Sequence, residues 1–581
     1  MQLQFPFRFT VEGSDEQIRV QSFSGTEALS TPYQFHIDLL LPLSYPFESM
    51  LGKKGCLIVP GRQATRNVHG VIFRVQTIAN ERTPLENYVV NRVVLTPPLL
   101  RLSLNRNLRI YQHKTTRQVV TDVLQKGGIQ TEVEWKLKAN YTPRDYCVQY
   151  REQDLEFISR LLEEEGITYY FEHSQDHLKM VCTDDVSGFR SISESKTDAA
   201  IAYTPEHGMS QDLDSIWDLT FRKDLRPHQV TLRDYSFKSP RLDVGATAAA
   251  QEAAGQIYDY PAECVDTDLA SRLAKVRLEE LQATKFTGHG HSNCNRLVPG
   301  LTFDLGDAVH EGLRYPREDL NQEYLVESVN HAGGALGYSN DFLAVPTKDK
   351  GNDGAAVLYR PSRVTPRPIV LGLHSAEVVG KAGEEIDVDS FGRVKVRFRW
   401  DRGGGVNPDS SCWIRVAQAW AGARWGAIFI PRVGQEVLVQ FLEGDPDRPV
   451  IVGQTYNGSH PVPYDLPKSK TISTIMTSSS PGNNGHNELR FEDAAGSEEV
   501  YIRAQKDSRM QVGHDWETEV VNDAKHSAKT ISLTATDRIE IQVGNSKVVL
   551  TPDRISITAP DIDAVAQNVN DIKGGMVKLN C

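Results

Sequence analysis

The chain has 581 residues, 39% of them hydrophobic and 24% charged, with a formal net charge of −12. These proportions belong to a globular protein long enough for several cores, and no basic run offsets the acidic balance, which excludes a mainly electrostatic grip on nucleic acid. No run of about 18 apolar residues occurs, so no transmembrane helix is expected. The seven scattered cysteines include no CxxC pair and fit free thiols in a reducing compartment.

Met1 to Thr10 (MQLQFPFRFT) alternates apolar and polar residues like a first strand and lacks the basic start and apolar core of a secretory leader. Val68 to Gln76 and Tyr88 to Leu95 are β-rich and bounded by turn residues, so strands are expected there. Thr116 to Gln125 predicts a helix stopped by Gly127 and Gly128. A second helix is expected over Gln153 to Glu165, where Leu155, Ile158, Leu161 and Leu162 share one face and Gly166 ends it. Ile167 to Phe171 returns to strand, and Leu269 to Leu281 reads as a third amphipathic helix. Helices inserted among many short strands suggest barrel-like β subdomains with helical insertions over residues 1–365.

Pro346 to Pro368 reads as a linker. Residues 366–460 are nearly all β. Gly392 to Trp400 places Val394, Val396, Phe398 and Trp400 on one face and Arg393, Lys395, Arg397 and Arg399 on the other. That segment is the size of a small closed barrel such as an oligomer-binding (OB) fold. Within it, Cys412 to Pro449 carries Trp413, Trp420 and Trp425 and the acidic turn Asp445-Pro446-Asp447, and reads as a structural junction. Residues 461–487 are a linker, with a Ser/Thr/Gly/Asn-rich loop from Thr471 to Asn487.

The tail, residues 488–581, has a different pattern. Leu533, Ile541, Val549, Ile557 and Val565 are apolar at an unbroken spacing of eight. Ile531, Ile539 and Ile555 follow a companion register that Lys547 and Asp563 interrupt. An even spacing keeps side chains on one face of an extended chain, so these five are the expected core of a β-helix or fibrous β-stack. The segment is thin for a core of its own, and several chains wound together would supply the missing apolar partners. An oligomer is therefore expected.

Catalytic and binding motifs are sparse. There is no GxxxxGK[ST] phosphate loop and no GxSxG elbow. His289, His291 and Cys294 match no standard zinc spacing and read as a loop. Glu163, Glu164 and Glu165 do not share a helix face and read as a solvated helix end. Asp445-Pro446-Asp447 could hold a hard cation, but a proline turn between two strands is favoured. The three tryptophans could form a sugar- or base-stacking platform, and core or subunit-contact roles are favoured over it. No catalytic residue, cofactor site or metal site is expected.

Tyr146 to Phe171 (YCVQYREQDLEFISRLLEEEGITYYF), Gly392 to Arg402 (GRVKVRFRWDR), Ser411 to Gly426 (SCWIRVAQAWAGARWG), Pro431 to Pro449 (PRVGQEVLVQFLEGDPDRP) and Asn487 to Asp493 (NELRFED) carry a family resemblance. With them the chain resembles the valine-glycine repeat protein G (VgrG) family, the spike of the bacterial type VI secretion system, related to the baseplate hub and spike of contractile-tail phages. The resemblance implies a mainly β protein: a hub-like β-barrel region, an OB-fold barrel and a triple-stranded β-helix needle over residues 488–581, shared by a homotrimer. It implies that the hub docks on the tube of Hcp hexamers among baseplate components, and that a PAAR-repeat protein caps the needle. Val577, Leu579, Asn580 and Cys581 would then lie at the cap-binding tip. Effector proteins would ride on the spike, which would pierce the target membrane mechanically after assembly in the cytoplasm and leave without a signal peptide. The resemblance leaves one alternative, the hub and spike of a contractile phage or phage-derived tail. With a short span between barrel and needle and Cys581 directly after the needle, no enzyme domain is expected in either place.

Overall fold

The computed structural model describes residues 6–578 except 15, 79–86, 206–212, 252–253, 307–313, 350–353, 404–406 and 483. Strands dominate, and the largest sheet closes on itself twice. In the first ring, Arg8–Val11 pairs with both Ile18–Ala28 and Lys54–Val59, and Arg66–Thr77, Tyr88–Thr96 and Thr31–Pro42 complete the barrel. In the second, Glu323–Gly334 pairs with both Gly337–Pro346 and Leu301–Leu305, and Phe286–Ser292, Ser215–Lys223 and Ala200–Tyr203 complete it. Closure removes the strand edges that an open sheet would expose. Alternate side chains fill each interior, with Phe9, Ile37, Leu57 and Val68 in one and Ile216, Phe303, Tyr324 and Phe342 in the other.

The two barrels share one seam, where Ile18–Ala28 pairs with Glu323–Gly334 from Phe23↔Gly333 to Ala28↔Ser328. A buried carboxylate sits on it. Glu27 Oε2 pairs with Arg66 and with His331 Nε2 (2.9 Å), and His331 Nδ1 lies 2.7 Å from the Tyr338 hydroxyl. Burial opposes the Glu27 charge, yet Arg66 and then His331 hold its carboxyl well below the usual range.

Between the barrels' sequences lies a layer of helix on sheet. The three strands Glu132–Lys136, Leu178–Thr183 and Thr168–His173 form the sheet. Helices Thr116–Lys126 and Asp154–Glu165 bury Val119, Val123, Phe157 and Leu161 beside Tyr169 and Cys182. Thr115 and Gln118 form a reciprocal capping box at the first helix, and Gly166, at φ 69°, ends the second. The helix expected over Leu269 to Leu281 runs Thr267–Ala283 and packs on a small sheet of Gln229–Asp234, Val244–Ala249 and Gln256–Asp259.

The second β-rich region is a five-stranded sheet in the order Lys395–Phe398, His374–Val379, Glu436–Phe441, Pro449–Thr455, Arg415–Val416. A bridge from Val394 to Ile414 closes the ring. Taken in chain order, strand one pairs with two and four, two with three, and five with three and four, which is the Greek-key closure of an OB fold. Val394, Val396 and Phe398 face its core, as the alternation requires, opposite Val437, Val439 and Phe441.

Two segments expected as loops contain strands. The loop expected over Thr471 to Asn487 contains the strand Ile472–Met476. His289 and His291 lie on strand Phe286–Ser292 rather than in a loop, because Gly288 and Gly290 let that strand approach the rings of Phe221 and Phe342.

The described tail residues 502–578 form a separate compact unit together with residues 486–488. Its regular part is an antiparallel meander of Ile539–Val543, Ser546–Thr551 and Arg554–Thr558.

Gly25 pairs directly with Phe35, whose ring would lie 2.2 Å from a Cβ placed on Gly25. Gly25→Val therefore overpacks the first barrel and should lower its stability by about 1–3 kcal/mol. Chemical denaturation followed by tryptophan and tyrosine fluorescence checks this, with Gly372→Val as control. A Cβ on Gly372 meets open space, and that variant should unfold like the parent.

Candidate functional site

Two features stand out: a charged joint where the helical layer meets the OB barrel, and the apolar tail face. At the joint, strand Cys147–Gln153 reaches into the barrel, and Tyr146, Val148 and Tyr150 share a core with Val378, Phe398, Val439 and Phe441. The Val148 N–H donates to Asp447 Oδ1 (2.6 Å). Trp400 Nε1 donates to His374 Nδ1 (3.2 Å), which leaves His374 Nε2 to bond the Tyr150 hydroxyl (3.2 Å). Asp445-Pro446-Asp447 is a turn, in which the Asp447 N–H donates to Asp445 Oδ1 (2.9 Å). The Cys412 to Pro449 segment thus contributes to a junction between modules.

Behind this turn, Glu163, Glu164 and Glu165 are not the solvated helix end that their spacing suggests. Carboxylates in the last turn of a helix oppose its dipole, and four arginines compensate Glu164 and Glu165. Glu164 pairs with Arg144 (2.8 Å), Arg367 (3.1 Å) and Arg160 (3.4 Å), and Glu165 with Arg144 (3.0 Å) and Arg272 (2.5 Å). Glu163 accepts from the Thr365 hydroxyl (2.7 Å) and the Thr365 N–H (3.0 Å). Burial raises Glu163, whereas Arg367, Arg144 and Arg160 overcome burial at Glu164 and hold it well below the carboxylate range.

The same contacts order the segment expected to be a linker. Arg360 donates to Glu279 Oε2 (2.9 Å) and to the carbonyls of Gly166 (2.9 Å) and Asp184 (3.0 Å), and the Arg363 N–H donates to Glu280 Oε1 (2.9 Å). Residues 360–367 therefore strap the helical layer on their way into the OB barrel. Removing one partner of such a network leaves a buried charge uncompensated, at a cost of about 3–5 kcal/mol.

The remaining motifs show no chemistry of this kind. Among the described residues no group of three or more His, Cys, Asp or Glu side chains could hold a metal ion. His291 pairs with Asp341, and Cys294 Sγ lies 3.4 Å from Asp214. Trp413 is half-buried, with Lys395 Nζ 5.0 Å over its ring, whereas Trp420 and Trp425 are 64% and 59% exposed.

In the tail meander, Ile541 pairs with Val548 and Val548 with Ile557, while Ile539 pairs with Leu550 and Leu550 with Ile555. Paired residues share a face. One face is therefore Ile539, Ile541, Val543, Val548, Leu550, Ile555 and Ile557, and the other is Glu540, Gln542, Lys547, Val549, Ser556 and Thr558. Each two-residue reversal shifts the parity of the facing residues, so Val549 lies opposite Ile541 and Ile557 despite the spacing of eight. Ile541 and Ile557 are 58% and 57% exposed in the single chain. Leu533 and Val565, 70% and 92% exposed, lie outside the strands. Val577 is exposed, and Leu579, Asn580 and Cys581 lie outside the described residues.

The joint predicts a pH dependence. Burial, then the neighbouring Asp445, pushes Asp447 up to about 7 against Arg160 and Arg367. The unfolded chain releases this proton near the ordinary value of 3.8, so the site's contribution falls as pH rises from there through about 7. Asn keeps the acceptor for Val148 without the charge. Asp447→Asn should melt like the parent at pH 4 and several degrees higher at pH 8, measured by scanning calorimetry; an equal difference at both pH values would show that the charge is not its cause.

Three families match consecutive regions of the chain: phage tail baseplate hub (GPD) at residues 26–336, the type VI secretion system/phage-baseplate injector OB domain at 378–456, and the bacteriophage T4 gp5 C-terminal trimerisation domain at 473–576. The type VI secretion system spike protein VgrG4b of Pseudomonas aeruginosa is 37% identical over 88% of this chain, which spans 63% of that protein's length. VgrG1a of the same organism is 35% identical over 85% of this chain, which spans 78% of its length. The solved E. coli c3393 protein, described as a type VI secretion component similar to T4 tail proteins gp27 and gp5, superposes with a TM-score of 0.54 at 23% identity, covering 77% of this chain and 99% of that one, and so shares the fold. By these matches, which follow the order double barrel, OB barrel and tail meander found in the structure, the chain belongs to the VgrG family of type VI secretion system spike proteins.

Proposed function

We propose that this chain is the trimeric spike of a type VI secretion machine, with its hub on the Hcp tube among baseplate components and its tail as a needle that punctures the target envelope. The observation that carries this reading is the apolar sheet face of the tail, uncovered in the single chain and lying within the match to a trimerisation domain. In water such a face favours association. Three copies would turn the rows Ile541–Val548–Ile557 and Ile539–Leu550–Ile555 toward a common axis. Leu533 and Val565 would add layers beyond the meander, and Val549 would serve a core only if winding three chains changes the register of the single chain. Intertwined copies unfold slowly, because releasing one requires breaking contacts with two others.

The finer partners belong to the same proposal. A PAAR-repeat cap would sit at the tip formed by Val577, Leu579, Asn580 and Cys581, a placement that follows from position in the chain. Effectors would be carried without covalent attachment, and the work of penetration would come from the secretion machine rather than from catalysis by this chain. A relative named actin cross-linking toxin VgrG1, of Vibrio cholerae, is 35% identical, but this chain spans only 47% of it, so its activity is not carried over. Assembly in the cytoplasm is supported by the free, buried Cys147, Cys182, Cys264 and Cys294, and release would need no signal peptide. A phage-derived tail hub is the second reading, favoured by the baseplate-hub match; contact with a purified Hcp tube separates the two.

Light scattering on the full chain should give about 195 kDa, three times 64.9 kDa. A stable 64.9 kDa species across micromolar concentrations would contradict the trimer. Ile541→Asp would place a charge from each copy in one core layer and should abolish the trimer or its heat resistance, leaving the far-ultraviolet signal of the barrels intact. A variant as resistant as the parent would remove Ile541 from the core.

A further inference from the structure

We infer that the hairpin Gln418–Phe429 is a second subunit contact, by which each OB barrel grips the next copy of this chain. It leaves the barrel between strands three and four. Trp420 pairs with Ala427 and Ala421 with Gly426, and the Gln418 side chain closes its base by bonding both the N–H (2.9 Å) and the carbonyl (3.3 Å) of Phe429. The hairpin is thus built as a rigid element. Gly426 permits the tight approach, since a Cβ there would lie 2.3 Å from the Trp420 carbonyl oxygen.

The side chains of this element face water in the single chain. Trp420 and Trp425 meet edge to face at 5.2 Å, and Ile428 and Phe429 are exposed beside them. Ile428 and Ile430 flank Gly392, which extends the apolar surface toward the exposed Phe391. Arg424 is the single charged residue between Gln418 and Ile430. Two rigid aromatic anchors on a stem of alanine and glycine, almost without charge, have the composition of an interface core.

The occupant follows from what the barrel is joined to. The trimerisation match starts at residue 473, and its first segment lies in the same compact unit as the barrel. Arg432 donates to the Ser478 carbonyl (2.6 Å), and the Gly482 N–H donates to Glu385 Oε1 (2.8 Å). The segment that gathers copies is therefore tied to the barrel immediately after the hairpin. A cyclic trimer needs a contact in which one patch meets a different patch on the next copy, and a projecting hairpin suits that geometry. This inference rests on the trimeric reading.

A photo-cross-linking p-benzoylphenylalanine placed at Trp425, with a second version at Ala423, tests it in the purified full chain. Both positions are exposed, so folding is not at risk. Illumination should yield a covalent pair of about 130 kDa, twice 64.9 kDa, with a yield unchanged by ten-fold dilution and the link mapping to residues 366–460 of a second copy. A trimer by light scattering that gives no link between copies would overturn the hairpin contact and leave the trimer standing. A single-chain mass would overturn both.

Discussion

An apolar sheet face cannot remain in water unless something covers it, and that constraint divides this chain in two. In the hub and the OB barrel, closure meets it: strands pair back on their own ring and alternate side chains point inward. In the tail, three short strands place Ile539, Ile541, Val548, Leu550, Ile555 and Ile557 on one side, where Ile541, Ile555 and Ile557 are exposed in the single chain. In the trimer we propose, other copies supply the cover, and a needle made that way is held by contacts no single chain can make.

The joint between hub and barrel meets a different demand. A strand of the helical layer adds aromatic side chains to the barrel core, and arginines clamp the helix end, the strap and the acidic turn together, a joint suited to the load that the proposed spike would bear. Apolar contact supplies most of the favourable energy, and the ion pairs fix the geometry, because Glu164 and Glu165 are tolerated there only with their guanidiniums in place.

The sequence revealed those parts whose periodicity is local. The helices at 116, 154 and 267, the inward row Val394, Val396 and Phe398, and the OB-sized barrel all follow from spacing and glycine stops. What it hid depends on partners far along the chain. Glu164 and Glu165 look solvated until Arg144, Arg272 and Arg367 arrive from three separate segments, and the proline-rich strap reads as a linker until Glu163, Glu164, Glu279 and Glu280 bind it. Val549 looks like a core residue because a spacing of eight keeps one face only along an unbroken strand, and two reversals intervene. The two exposed tryptophans were legible as interface or core, and only the structure shows them on a projecting hairpin.

Hydrogen–deuterium exchange of the assembled full chain tests the central claim most directly, because it reads whether the tail strands are covered. Amides within 539–558 should exchange as slowly as those of the barrel strands, and Ile541→Asp should release them while the barrels stay protected. Exchange in the parent as fast as in an isolated peptide would mean that the apolar face is open in solution and that no needle is built on it.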